Sequence, residues 1–105
     1  MHARVTKFEG SPDKIEAGIK LINEVIITGA KKIPGFKGGY WLLDRTSGKG
    51  FSVTLFDGEA ALKASEDSAA QIRTQATQAV GAKITGIERY EVVAQAVVEP
   101  ALATR

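Results

Sequence analysis

Cysteine is absent from the 105 residues, histidine occurs once and proline three times. Without cysteine there is no disulfide, no thiol nucleophile and no thiolate metal ligand. One histidine, His2, falls short of an all-protein zinc or iron site. No glycine-rich phosphate loop precedes a helix, so neither a metal, a haem nor a flavin requirement is expected. No apolar run approaches the ~20 residues that cross a bilayer. The net charge of +2 is too small to imply a nucleic-acid groove. The first residues alternate polar and apolar and carry His2, Arg4 and Lys7, unlike a signal peptide. A cytoplasmic protein with no membrane or nucleic-acid partner is the expectation.

What remains is an ordinary globular composition, 44% hydrophobic and 25% charged. The length corresponds to one domain, read here as residues 1–96 with a tail at 97–105 that contains Pro100. Residues 2–9 alternate and read as a strand that Gly10 ends. Ser11-Pro12-Asp13 opens a helix, with Ser11 as N-cap and Pro12 at the first helical position. Ile15, Ile19, Ile22 and Ile26 then repeat at spacings of four, three and four, one apolar stripe on a long helix that Pro34 forbids from continuing. Two runs rich in aromatic and β-branched residues, 39–44 and 50–56, flank a turn-forming cluster and read as a hairpin. Asp57 is placed to cap a second helix over 58–80, whose one face carries Leu62, Ser65, Ala69, Ile72, Ala76 and Val80, with Gly81 as its left-handed stop. A last strand is read over 86–94.

Strand, helix, strand, strand, helix, strand is the split βαβ order of a ferredoxin-like α+β fold, a four-stranded antiparallel sheet with both helices on one face. Both faces of the hairpin nevertheless carry large apolar groups. Tyr40 and Leu42 alternate with Trp41 and Leu43, and Phe51, Val53 and Leu55 alternate with Phe56. A solvated face would read polar, so a second copy of the sheet is expected to cover it as a homodimer. The run KGFSVTLF at 49–56 partly matches an RNA-recognition pattern, but Val53 stands where a base-stacking aromatic is needed.

Several motifs together resemble the antibiotic biosynthesis monooxygenase family: PGF at 34–36, the D-R-x-x-G-K-G turn at 44–50, a strand ending in Phe56, and D-x-E-A at 57–60. The resemblance spans about residues 3–93 and implies a dimeric α/β barrel. Some members are cofactor-free monooxygenases that form quinones, often with a tryptophan at the end of strand 3, where this sequence has Phe56. Haem-degrading relatives add an asparagine in strand 1 and a histidine in helix 2. Neither is present, so haem cleavage is not expected.

The small face of helix 2 means either close approach to the sheet or a retained cavity, and the resemblance favours a cavity. The expected ligand is a small aromatic or quinol-like molecule in an apolar pocket between sheet and helices. Tyr90 and Trp41 are the candidate catalytic groups. Tyr40, Phe51, Leu55, Phe56, Ala69 and Arg89 are the candidate substrate contacts. Adjacent strand residues face opposite ways, so Tyr40 and Trp41 cannot line one pocket together, and which of them faces the helices is open. The activity expected is cofactor-independent oxygenation. The alternative is a non-catalytic homodimer that binds a small molecule or serves as an interaction protein.

Overall fold

A computed structural model describes residues 1–98, so the tail expected at 97–105 lies outside the described residues from position 99 on. Four antiparallel strands, β1 (His2–Glu9), β2 (Phe36–Leu43), β3 (Lys49–Phe56) and β4 (Lys83–Glu91), pair in the order β2-β3-β1-β4. This is the ferredoxin-like sheet, with β1 and β3 central. The last strand begins at Lys83 and ends at Glu91, earlier at both ends than the apolar pattern indicated.

The first helical arm is not one regular helix. A 3-10 turn (Pro12–Lys14) leads into α1 (Ile15–Leu21), a π-helical segment (Ile22–Ile26) and α2 (Ile27–Lys31). In the π segment the Ile27 amide reaches back to the Ile22 carbonyl, which adds a residue to the turn and shifts the apolar stripe. Ser11 does not cap the arm through its side chain; its hydroxyl turns to the Asp13 carboxylate.

The second arm is also broken. α3 (Glu59–Ala64) and α4 (Glu66–Val80) meet at Ser65. Asp57 does not cap α3: its amide donates to the Gly35 carbonyl at 2.9 Å, and the extended Gly58 occupies the cap position. Gly81, at φ 68°, ends α4 with its amide on the Thr77 carbonyl.

The hairpin tip is held by Asp44, whose carboxylate accepts from the Thr46 amide at 2.9 Å and the Ser47 hydroxyl at 3.0 Å. These bonds hold the Asp44 carboxyl below its ordinary range. Gly48, at φ 78°, accepts the Gly10 amide at 2.7 Å; any side chain there would collide with the Gly10 carbonyl. That contact ties the hairpin tip to the start of the first arm.

Cross-strand register assigns the faces. Arg4, Thr6 and Phe8 share one face with Trp41, Leu43, Ser52, Thr54 and Phe56, and both arms lie on that side. The opposite face carries Val5, Tyr40, Leu42, Phe51, Val53 and Leu55. The dense core is small and lies at one end. Ile33, Phe56 and Leu62 are buried, with Phe36, Ala61 and Ile72 packed around them. Phe36 meets Phe56 edge-on, ring centroids 5.9 Å apart.

Candidate functional site

Arg4 lies in a central strand, points toward the helices and is only 2% exposed. A guanidinium taken out of water must be paired and hydrogen-bonded. Its Nη2 donates to the Leu62 carbonyl at 3.2 Å and to the Ser65 hydroxyl at 2.8 Å, and lies 3.0 Å from Glu66 Oε1. The Ser65 hydroxyl donates in turn to the Leu62 carbonyl at 2.6 Å. The break between α3 and α4 thus presents a carbonyl at a helix C-terminus, a hydroxyl and a carboxylate to one arginine. The same guanidinium lies 5.3 Å from the centre of the Phe56 ring. Its Nε is buried and has no hydrogen-bond partner.

Glu66 is shared. Arg89 clamps it with two bonds, at 2.7 and 2.8 Å. The Arg89 bond first, then Arg4, push the Glu66 carboxyl down to about 2. Arg73, two turns further along the same face of α4, is half-buried, and among the described residues it forms no ion pair. Burial and then repulsion from Arg4 lower its pKa. Two guanidiniums therefore share one carboxylate, and a third lies two turns along the helix without an ion pair of its own among the described residues.

This cluster closes one end of a cavity of about 140 Å³ between sheet and helices, which Arg4 and Arg73 line. Its walls are mainly apolar, among them Phe8, Ile15, Ile22, Ile26, Ile72 and Ile84. Small residues Gly18, Ala69 and Ala76 on the two arms leave the space open. Apart from the arginines, polar groups are few: the hydroxyls of Thr6, Ser11, Ser52, Thr54 and Thr77, the indole of Trp41, and Lys14. No histidine, tyrosine, aspartate or glutamate lines it among the described residues. Nor do any three His, Cys, Asp or Glu side chains among them gather closely enough to hold a metal ion.

The candidates from sequence divide between the two faces. Trp41, Phe56 and Ala69 line the cavity. Tyr40, Phe51, Leu55 and Tyr90 lie on the opposite face and cannot contact a molecule held there, because their register partners place them with Val53, Lys7 and Ala3. Tyr90 is a poor acid in any case: it is 52% exposed, and its hydrogen bond to Glu88 raises its pKa. Arg89 is absent from the lining and is engaged with Glu66. His2 sits beyond the cluster, its Nε2 3.8 Å from Glu59. Arg4 and Arg73 were missed. Neither was among the candidate site residues, and Arg4 stood out only for its charge near the start of the sequence. The available signal was phase: Arg4 alternates in step with Thr6 and Phe8, not with Ala3 and Val5.

No protein-family model matches the chain. HapK of Hahella chejuensis superposes with a TM-score of 0.74 over 95% of this chain and 100% of its own, at 13% identity. A Deinococcus radiodurans protein described as an antibiotic biosynthesis monooxygenase gives 0.70, with the same coverage at 14% identity. The chain has the antibiotic biosynthesis monooxygenase fold. Another protein of this monooxygenase fold is ActVA-Orf6 of Streptomyces coelicolor, a monooxygenase solved with nanaomycin D. It superposes at 0.63 over 95% of this chain and 92% of its own, at 12% identity. By sequence, the uncharacterised Mycobacterium tuberculosis protein Rv2558 is 30% identical over 76 residues, 72% of this chain. The chain spans 32% of that relative's length. No helix among the described residues is long and apolar enough to cross a membrane.

The paired Glu66 yields a pH test. Its folded-state value lies below the ordinary 4.5. Its contribution is therefore complete above that value and is lost as pH falls toward 2. Glu66→Gln is expected to lower unfolding stability by about 1–2 kcal/mol near neutrality, allowing for solvent screening of the exposed half of the pair. In urea titrations the gap from wild type should close as pH falls from 4.5 to about 2. A gap that stays constant across that range contradicts the pairing.

Proposed function

We propose that the cavity receives a small molecule built on a single aromatic ring, in a cytoplasmic homodimer paired through the outer faces of two sheets. The observation that carries the first part is the space itself. An apolar void near 150 Å³ accommodates about one benzene-sized ring, and about 140 Å³ lies between sheet and arms here. Pairing of sheets is supported by the outer face, where Tyr40 is 70% exposed, Tyr90 52%, Leu42 44% and Phe51 41%. Apolar groups gathered on one face favour a partner over water.

Cofactor-independent monooxygenation is the second reading. The fold shared with ActVA-Orf6 favours it, and so does an arginine cluster able to hold a substrate oxyanion. The reaction balances without a cofactor. The ring carbon para to a phenolate oxygen gives an electron pair to dioxygen, a proton completes the hydroperoxide, and loss of water leaves the quinone. The difficulty is the first proton. The cavity lining contains no carboxylate, imidazole or phenol to take it, and a general base must lie within hydrogen-bond reach. The substrate then has to enter as its anion, which places simple binding first.

The two faces separate by mutation. Ala69→Phe should weaken binding of a ring ligand by about tenfold or more by filling the cavity, while sedimentation still shows the dimer. Val53→Asp should do the reverse and give a folded monomer that still binds. If Val53→Asp leaves the mass unchanged, or if wild type sediments as a monomer at micromolar concentration, the sheet-face dimer is wrong. For the second reading, oxygen uptake with phenols and hydroquinones under air should rise with pH along each substrate's own ionisation. A bell-shaped profile common to all substrates would instead reveal a protein base.

A further inference from the structure

We propose that the ring ligand carries a carboxylate, and that the Arg4–Arg73 end of the cavity is its anion subsite. This rests on the cavity being a ligand site and goes beyond it by naming the substrate class, an aromatic carboxylate with one ring.

Charge and hydrogen bonding lead to the same place. Arg4 is 2% exposed, and its Nη2 makes the three polar contacts with Leu62, Ser65 and Glu66. Its Nε is buried and unpaired, and a buried donor without a partner is costly. Arg73 lines the same cavity, is half-buried, and forms no ion pair among the described residues. The one nearby acid, Glu66, already accepts two bonds from Arg89 as well as the contact from Arg4. No other carboxylate lines the space among the described residues. An anion at this end would balance the surplus positive charge of Arg4 and Arg73 and give the Arg73 guanidinium an acceptor.

The geometry of the donors selects the anion. A guanidinium is a planar fork that matches the two oxygens of a carboxylate. The remaining walls are apolar, and a volume of about 140 Å³ holds roughly one ring with one small planar substituent. Thr54, the β3 register partner of Arg4, also lines the cavity, and its hydroxyl donates to the Arg4 backbone carbonyl at 3.4 Å.

Benzoate and benzamide test this directly, because they share shape and differ in charge. Calorimetric titration of wild-type protein should show benzoate binding about tenfold tighter than benzamide or better. Arg73→Gln should remove that preference and leave benzamide affinity within about threefold, whereas Arg73→Lys should retain part of it. The thermal midpoint of each variant checks that it is folded, and the wild-type comparison needs no variant at all. Equal affinity for the two ligands, or equal weakening of both by Arg73→Gln, overturns the carboxylate subsite and leaves the ring-binding cavity standing. A benzoate preference that survives Arg73→Gln overturns the subsite's location. If neither ligand binds, the cavity reading falls and the subsite with it.

Discussion

A guanidinium buried between sheet and helices is the constraint on which this domain depends. Arg4 sits in the central strand β1 and binds the point at which the second arm breaks. Even the neutralisation of Glu66 alone, at about 1–2 kcal/mol, is a sizeable share of the roughly 5–15 kcal/mol that holds a domain of this kind together. The break at Ser65 is therefore not a defect in a long helix. It supplies a carbonyl and a hydroxyl to the arginine, and it sets Glu66 at the start of α4, between Arg4 and Arg89. The start of α4 is fixed over the middle of the sheet by charge rather than by apolar packing.

That arrangement explains where the core is dense and where it is hollow. Ile33, Phe56 and Leu62 close one end. Toward the other, the arms present Gly18, Ala69 and Ala76, and the π segment widens the first arm above the gap. The arms approach closely at Gly29, where an added Cβ would lie 3.3 Å from Ile72. Small residues keep this space open, and Arg73, half-buried and without an ion pair among the described residues, lines it, which favours a binding site over tight packing.

Sequence patterns conveyed the architecture because the two periodicities are distinct. Strand β1 alternates loosely, the hairpin runs are rich in aromatic and β-branched residues, and the isoleucines of the first arm repeat at helical spacing. They did not convey the breaks. The extended Gly58, with the Asp57 amide bonded to Gly35, depends on a contact across the fold. The same holds for Ser65, which looks like any small residue on a helix face until Arg4 reaches it. Face assignment was also out of reach for the hairpin, since the register shifts between Phe36 and Gly38 and a shift of one residue exchanges Tyr40 with Trp41. Tyr90, Phe51 and Leu55 were drawn to the pocket by their size, whereas pairing puts them on the outer face. Arg4 was hidden for the opposite reason: a charged residue in a strand is ordinarily solvated, and only its tertiary partners make it a core group.

The central claim is that a ring occupies the space between the sheet and the helices. Intermolecular NOEs from the ring protons of a bound aromatic to assigned methyl groups measure this most directly. The account predicts contacts to Ile22, Ile72, Ile84 and Ala69, all of which line the cavity. Contacts confined to Leu42, Val53 and Leu55 on the outer face would contradict it.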